Sequence, residues 1–463
     1  MSPRTAAVLL LGATLLAACG SGRPAAPTWD RVVFVTLDTL RADHLGAYGY
    51  PRPTSPFLDS LAERGVVFER AYAPMSTTAP SHATMFTGLY PLQHGIERNG
   101  QRLPDGVGTL AQQLRGAGVT TAAFVSTRVH FQPAGLHRGF RVFDRPPREP
   151  RRPYRPANET VEAARRWLAA CGSCERLFLW IHLFDVHDPH QAPAEHREAL
   201  AVAPSDVARL ADFYTGERGV PADYLPSRAL VEAMAAYDAE IRFADQELSR
   251  LYETVSARLP DPVLWIVTAD HGEGLGNHGW RGHGKHIYEE QVRVPLIVHA
   301  SDGSLVPGRV DGLVEHTDVL PSVLELMVEG AAARPAAEGR SFVPALAAAP
   351  LAPRTAFVQR RTYAQDGPST RETGWEPGLK FALVEPRWKF VHHTAGGEEL
   401  FDLERDPYEL DDRIHEEGAV AARLREALQA RLAAVSEGRV VPESAATVDE
   451  DTLRQLEELG YVQ

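Results

Sequence analysis

Between Asp270 and His299 the chain gathers an aspartate, five histidines and a lysine directly behind one apolar run, Val263 to Ala269. That run reads as a buried strand, so Asp270 and His271 stand where it stops. In open α/β sheets ligands collect in the crevice beyond the carboxyl ends of the strands, where an Asp-His pair is placed to hold a metal or an anion. Strand ends also carry Asp, Gly and His for turn chemistry, and the pair alone leaves both readings open. A second stretch, Thr77-Thr78-Ala79-Pro80-Ser81-His82 and on to Gly88, sets hydroxyls just ahead of a helix that proline opens and glycine closes. A hydroxyl there lies in the positive field of the helix amino terminus, which suits a nucleophile attacking a phosphate or sulfate. The alternative is that Thr77 or Thr78 only caps the helix, which contributes about 1 kcal/mol.

The elements that must position these residues follow a repeating pattern of short apolar strand, polar residues, then amphipathic helix. Arg31 to Leu37 ends at Asp38, Thr121 to Val125 ends at Ser126, Thr127 and Arg128, Leu177 to Leu183 runs out at His187, and Val263 to Ala269 ends at Asp270. Helices are expected over Leu58 to Arg64, Glu159 to Ala170 with Asn158 as cap, and Ala236 to Ala257 with Ile241, Leu248 and Leu251 on one face. Strands alternating with helices at this spacing imply a largely parallel sheet covered on both sides. Four strand ends that release Asp, His or Arg point to one shared crevice. Arg145 to Pro156, basic and proline-rich, and Gln191 to Arg228, irregular, read as surface elaborations near it. The Ala- and Pro-rich stretch 331–353 reads as a linker before a smaller unit, 354–463, with a hairpin at Phe381–Val384 and Trp388–Val391 and a helix at Ala419–Ser436.

The whole chain narrows the class. Its 463 residues are 44 % hydrophobic, enough for a sizeable core. Arg4, the apolar run Ala6 to Ala18 and the small residues before Cys19 describe a secretory signal over residues 1–18, too short to span a bilayer. Leu16-Ala17-Ala18-Cys19 resembles the bacterial lipoprotein signal, which implies lipid on Cys19, a tether over 19–30 and a membrane partner through that anchor. Gly20 after the cysteine resembles outer-membrane sorting, with the protein exposed to the periplasm or cell surface. Residues 1–18 carry Arg4 and no acid, so cleavage moves the formal charge from −13 to about −14, a balance that argues against a nucleic-acid partner. Cys171 and Cys174 are an even pair in an exported chain, either bridged or open.

Taken in order, several motifs resemble the sulfatase family of the alkaline phosphatase superfamily. They are Asp38-Thr39-Leu40-Arg41, Ala79-Pro80-Ser81-His82 with Thr87-Gly88-Leu89-Tyr90-Pro91, Thr268-Ala269-Asp270-His271-Gly272-Glu273, Tyr288-Glu289-Glu290 with Arg293-Val294-Pro295-Leu296, His316-Thr317-Asp318 and Arg387-Trp388-Lys389. The resemblance implies an α/β, alkaline-phosphatase-like sandwich: a large, mostly parallel sheet flanked by helices over 31–330, and a C-terminal α+β subdomain that completes the fold. It implies Asp38, Asp270, His271 and Thr78 as ligands of one divalent metal ion, and Thr78 as the nucleophile.

Sulfatases place a cysteine or serine there, in the pattern Cys/Ser-x-Pro-x-Arg, and oxidise it to formylglycine. Threonine carries a methyl on Cβ and cannot follow that route, so no formylglycine is expected. A metal-held threonine alkoxide serves instead, as in superfamily members that act on phosphodiesters. The arginine position is His82, and the second family aspartate is Thr39, which moves metal preference from Ca²⁺ toward Mn²⁺ or Zn²⁺. By the same resemblance His187 contacts the ester oxygen or leaving group, while His82, Arg128, His130 and Lys285 bind substrate; His278 and His283, lying close behind the metal pair, assist the leaving group or bind the anion. The expected activity is cleavage or transfer of a phosphate-type ester of a small molecule, glycan or lipid. The alternatives are a sulfuric ester hydrolase without formylglycine and a silent lipoprotein that binds an anionic glycan.

Overall fold

The strand Arg31–Leu37 is buried at all seven positions and lies between two parallel neighbours, Leu177–Leu183 and Leu264–Ala269. Uninterrupted burial is the signature of a central strand covered on both faces. The computed structural model describes residues 29–147, 154–172, 174–215, 227–330, 338–360, 378–440 and 448–458. The signal and Cys19 lie outside them. Eight strands form the main sheet, in the order Gly308–Val310, Val66–Phe68, Leu296–Ala300, Leu264–Ala269, Arg31–Leu37, Leu177–Leu183, Thr120–Val125 and Val142–Asp144. All neighbours are parallel except Leu296–Ala300, which runs against both of its partners. Leu37 pairs with both Leu183 and Ala269. That register delivers Asp38 and Asp270 to one end of the sheet.

The predicted strands and helices are present, with shifts that tertiary contacts explain. The helix at Ala157–Ala170 starts ahead of Asn158 because the Asp185 carboxylate accepts from the Ala157 amide at 2.9 Å, so the cap comes from another strand's end. Gln191 to Arg228, expected as irregular, contains helices Ala194–Ala199 and Asp206–Thr215. The long helix Arg228–Arg258 begins well before Ala236, because the Ser227 hydroxyl accepts from Leu230 N at 3.2 Å and caps it. Cys171 and Cys174 are joined in a disulfide.

The C-terminal unit is a four-stranded antiparallel sheet, Ala356–Gln359, Lys380–Val384, Trp388–His393 and Glu398–Asp402. Its side chains alternate. Phe357, Phe381, Phe390 and Leu400 pack under the helix Gly418–Glu437, while Val358, Ala382, Val391 and Phe401 pack against Tyr72, Ile287, Val292 and Leu313 of the larger body. Residues 338–353 of the stretch expected as a linker lie against that body, with Phe342 buried edge-on against Phe68, and just beyond them Arg354 clasps Asp318 at 2.6 Å and Glu315. Among the described residues no helix is long and apolar enough to cross a membrane.

Candidate active site

Helix Thr78–Thr87 points its amino terminus at the carboxyl end of the sheet and is buried along its whole length. Thr77 occupies the capping position, yet its hydroxyl makes no capping bond and neither does that of Thr78. The first turn is satisfied otherwise: Asn99 accepts from the Ala79 amide at 3.0 Å, the Ser81 amide donates to the Thr77 carbonyl at 3.1 Å, and Pro80 has no amide hydrogen. Gly88 closes the helix at φ 69°, a left-handed conformation that glycine adopts without strain. Capping therefore does not account for the two threonines.

The Thr78 hydroxyl lies against the Asp38 carboxylate, and neither group completes a well-formed hydrogen bond. Asp38, Asp270 and His271 are fully buried and bring one ligand atom each within 4.8 Å of the others. Asp270 Oδ1 is occupied by the amides of Thr39 at 3.2 Å and His271 at 2.9 Å. Its Oδ2 has no hydrogen-bond partner and faces His271 Nε2 at 3.5 Å. His271 Nδ1 donates to the Gly272 carbonyl at 2.9 Å, which fixes the tautomer and leaves the Nε2 lone pair facing two carboxylates. Three acceptors converging on one buried point repel one another unless a cation lies between them. Burial lifts the Asp38 carboxyl to about 7 against the pull of His271, and burial and then Asp38 lift Asp270. The donors fit a divalent ion.

Around this centre the structure separates the expected residues into two groups. His187 stacks on Phe184 with centroids 4.3 Å apart and donates Nδ1–H to the Asp188 carbonyl at 2.6 Å. His283 meets Glu273 Oε2 through Nδ1 at 3.1 Å, and its ring lies 4.6 Å from that of His271 and 4.9 Å from that of His187. His130 bonds Thr127 Oγ1 at 2.9 Å and stacks on Phe184, and Arg128 is half-buried two residues before it. Elsewhere the expectation of direct substrate contact meets competing partners. His278 bonds Glu290 at 2.7 Å and stacks on Tyr288; Lys285 Nζ sits 4.5 Å over the Trp280 ring. His82 is wholly buried beneath the helix turn that carries Thr78, with both ring nitrogens bonded inside the protein.

For His278 the reason is a hairpin. Gly274–Leu275 pairs with Arg281–Gly282, and glycines with positive φ at 276 and 279 turn its tip away from the centre. His278 travels with the tip, whereas Glu273 and His283 flank the Gly274–Gly282 pair and meet.

Two residues beside the centre were not singled out from sequence. His182 is fully buried with Nε2 3.4 Å from Asp38 Oδ2. It sits inside an apolar strand run, and only its register opposite Thr36 reveals which face it takes. Glu273 is fully buried among His271, His187 and His283; its place directly after Asp270-His271-Gly272 was the available signal.

The sulfatase family profile matches residues 30–330, and the profile described as N-sulphoglucosamine sulphohydrolase, C-terminal, matches 276–438. Similar curated proteins include a Delta 4,5-hexuronate-2-O-sulfatase of Bacteroides thetaiotaomicron, 25 % identical over 85 % of this chain and 86 % of that protein. A multifunctional alkaline phosphatase superfamily protein of Trinickia caryophylli is 24 % identical over 88 % of this chain and 95 % of its own length. Among solved structures, the phosphonate monoester hydrolase of Agrobacterium radiobacter superposes with a TM-score of 0.68 at 20 % identity, covering 90 % of this chain and 99 % of that one. The alkaline-phosphatase-like sheet, the convergent Asp38, Asp270 and His271, and a profile match over most of the chain agree: the protein belongs to the sulfatase family, ester hydrolases of the alkaline phosphatase superfamily.

Proposed function

We propose that this chain is a metal-dependent hydrolase or transferase of phosphate-type esters that uses Thr78 as its nucleophile. One observation carries the reading: the Thr78 hydroxyl, at the first residue of a buried helix, faces Asp38 beside the Asp270–His271 pair. Asp38, Asp270, His271 and Thr78 would hold the ion, which when bound supplies positive charge against the threonine oxygen and the transferring group. Thr39, where the family carries a second aspartate, favours Mn²⁺ or Zn²⁺ over Ca²⁺.

The chain's own residues divide the remaining work. The Thr78 oxygen forms a bond to phosphorus while the bond to the leaving alcohol oxygen breaks, and that oxygen takes a proton. Water or an acceptor alcohol then attacks the phosphothreonine, the Oγ–P bond breaks, and Thr78 recovers its proton. His187, whose Nδ1–H is committed to Asp188, offers Nε2 as a proton acceptor; His283, held by Glu273, offers a second imidazole on the same side. The positive field at the amino terminus of the helix favours the anion. Cys19 as a lipid anchor in the bacterial envelope belongs to the same reading, supported by the residues before it.

A second reading, sulfate-ester hydrolysis without formylglycine, is favoured by relatives named sulfatases that align along most of the chain. Metal-stripped protein reconstituted with Mn²⁺, Zn²⁺ or Ca²⁺ and assayed on aryl phosphodiester, phosphomonoester and sulfate esters separates the two. Phosphoesterase activity above sulfatase activity is expected; the reverse order would overturn the first reading.

A further inference from the structure

We propose that His82 is a positioning residue for Thr78, locked in a four-membered hydrogen-bond chain from Trp180 through Thr36, and that it takes no part in binding the substrate anion. The proposal rests on the reading of Thr78 as nucleophile. The position is the one at which the family pattern carries arginine, so the expectation from sequence is a contact with the anion. The geometry assigns both ring nitrogens elsewhere.

The directions of the bonds follow from donor chemistry. Trp180 Nε1–H can only donate, and it lies 3.0 Å from Thr36 Oγ1. Thr36 therefore accepts there and has its own hydrogen left for His82 Nε2, 3.1 Å away. The Thr78 carbonyl can only accept, so His82 Nδ1, at 2.8 Å from it, carries the ring hydrogen. One neutral tautomer satisfies every member: indole to hydroxyl, hydroxyl to imidazole, imidazole to carbonyl. Trp180, Thr36, His82 and Thr78 are all fully buried. The Phe131 ring stands edge-on to the imidazole at 4.7 Å and closes that side.

What the chain joins gives it a purpose. Thr36 lies on the central strand two residues before Asp38, and Thr78 opens the facing helix. The imidazole thus ties the turn bearing the nucleophile to the strand bearing a metal ligand, and Asp270 Oδ2, 3.7 Å from Nδ1, lies across the same gap. A misplacement of the hydroxyl by a fraction of an ångström is costly in an in-line displacement.

Four variants test the assignment on metal-loaded protein: T36V, T36S, H82N and H82A. Thr36→Val keeps shape and removes the hydroxyl, while Thr36→Ser restores it. His82→Asn keeps a donor near the Nδ1 position; His82→Ala keeps none. We expect T36V to lower kcat roughly tenfold or more, the range found for outer-shell partners, with KM and the inhibition constant for inorganic phosphate within twofold of wild type. T36S should recover kcat, H82N should retain more of it than H82A, and melting temperature is recorded for each to identify a variant that fails to fold. A rise in KM and weaker phosphate inhibition in H82N, with kcat spared, would make His82 an anion ligand and overturn the proposal.

A readout independent of turnover uses selectively ¹⁵N-histidine-labelled protein. The resonances lost in H82N should report a neutral Nδ1–H ring that added phosphate leaves unmoved, and a phosphate-induced change to the charged form would refute the assignment. Should wild type cleave no ester in the panel, the nucleophile reading fails while this spectrum still decides the hydrogen-bond chain.

Discussion

Thr78 and Thr39 set this chain apart from the family pattern, and each makes its own prediction. Thr78→Ala removes the hydroxyl facing Asp38 and should lower turnover by at least three orders of magnitude while leaving the fold intact; activity within tenfold of wild type would disprove the nucleophile. Thr39 is a β-branched residue at φ 57°, held there by its amide on Asp270 and by the Tyr237 hydroxyl, which donates to its carbonyl at 2.7 Å. Such a conformation costs on the order of 1–3 kcal/mol and favours Asn or Asp. Thr39→Asp relieves that strain and adds a carboxylate beside the ion, so Ca²⁺ affinity should rise relative to Mn²⁺ and Zn²⁺. Thr39→Asn relieves the strain alone and should leave the ranking unchanged. Chelator competition measures both. Asp38, Asp270 and His271 were legible in the sequence because an apolar run ends at each site and the side chain after it must face the crevice. His182 was not, since a histidine within such a run reads as core until its neighbour across the sheet is known.

At the scale of elements, the hairpin Gly274–Gly282 explains where His278 is placed. Residues close in sequence to a ligand are placed by the turn between them, and two glycines with positive φ carry His278 toward Glu290 and the Glu409 carbonyl. Burial disfavours the charged ring there, but the Glu290 carboxylate and its hydrogen bond prevail and lift His278 to about 9. The folded value exceeds the ordinary 6.5, so the pair's stabilisation is complete below pH 6.5 and is lost as pH rises through about 9. Thermal melts of wild type and H278Q should accordingly differ most below pH 6.5 and converge toward pH 9 to 10. A gap that widens with pH would show that the ring is held neutral. The helices within 191–228 were hidden for a related reason: they are short, and their apolar faces are completed by the long helix they pack against, a contact no local pattern announces.

For the molecule as a whole, the question is whether residues 354–463 are an appendage or part of the catalytic fold. Both faces of the four-stranded sheet are covered, one by its own helix and the other by Tyr72, Ile287, Val292 and Leu313. A chain truncated before Ala356 would expose that second apolar surface and also lose the Phe357 amide that donates to the buried Glu315 at 2.8 Å, so it should be recovered as aggregate. Across the same seam Lys389, wholly buried, lies 3.1 Å from Glu289 and 2.8 Å from Glu409, while Tyr72 donates to Glu289 at 3.0 Å. Glu289 belongs to the short helix that follows the hairpin, and Glu409 to the loop after the last strand of the small sheet. Removing one member of a buried ion pair leaves the others uncompensated and typically costs about 3–5 kcal/mol. Lys389→Met strands two carboxylates at the joint, and denaturant unfolding should show a loss of that size. Because the seam is shared, the loss should appear in one cooperative transition reported equally by Trp388 of the small sheet and Trp180 of the large one, each followed in a chain where the other tryptophans are replaced by phenylalanine. Two separated transitions, with the larger body unaffected by the substitution, would show that the two units fold independently and that the C-terminal sheet is an appendage after all.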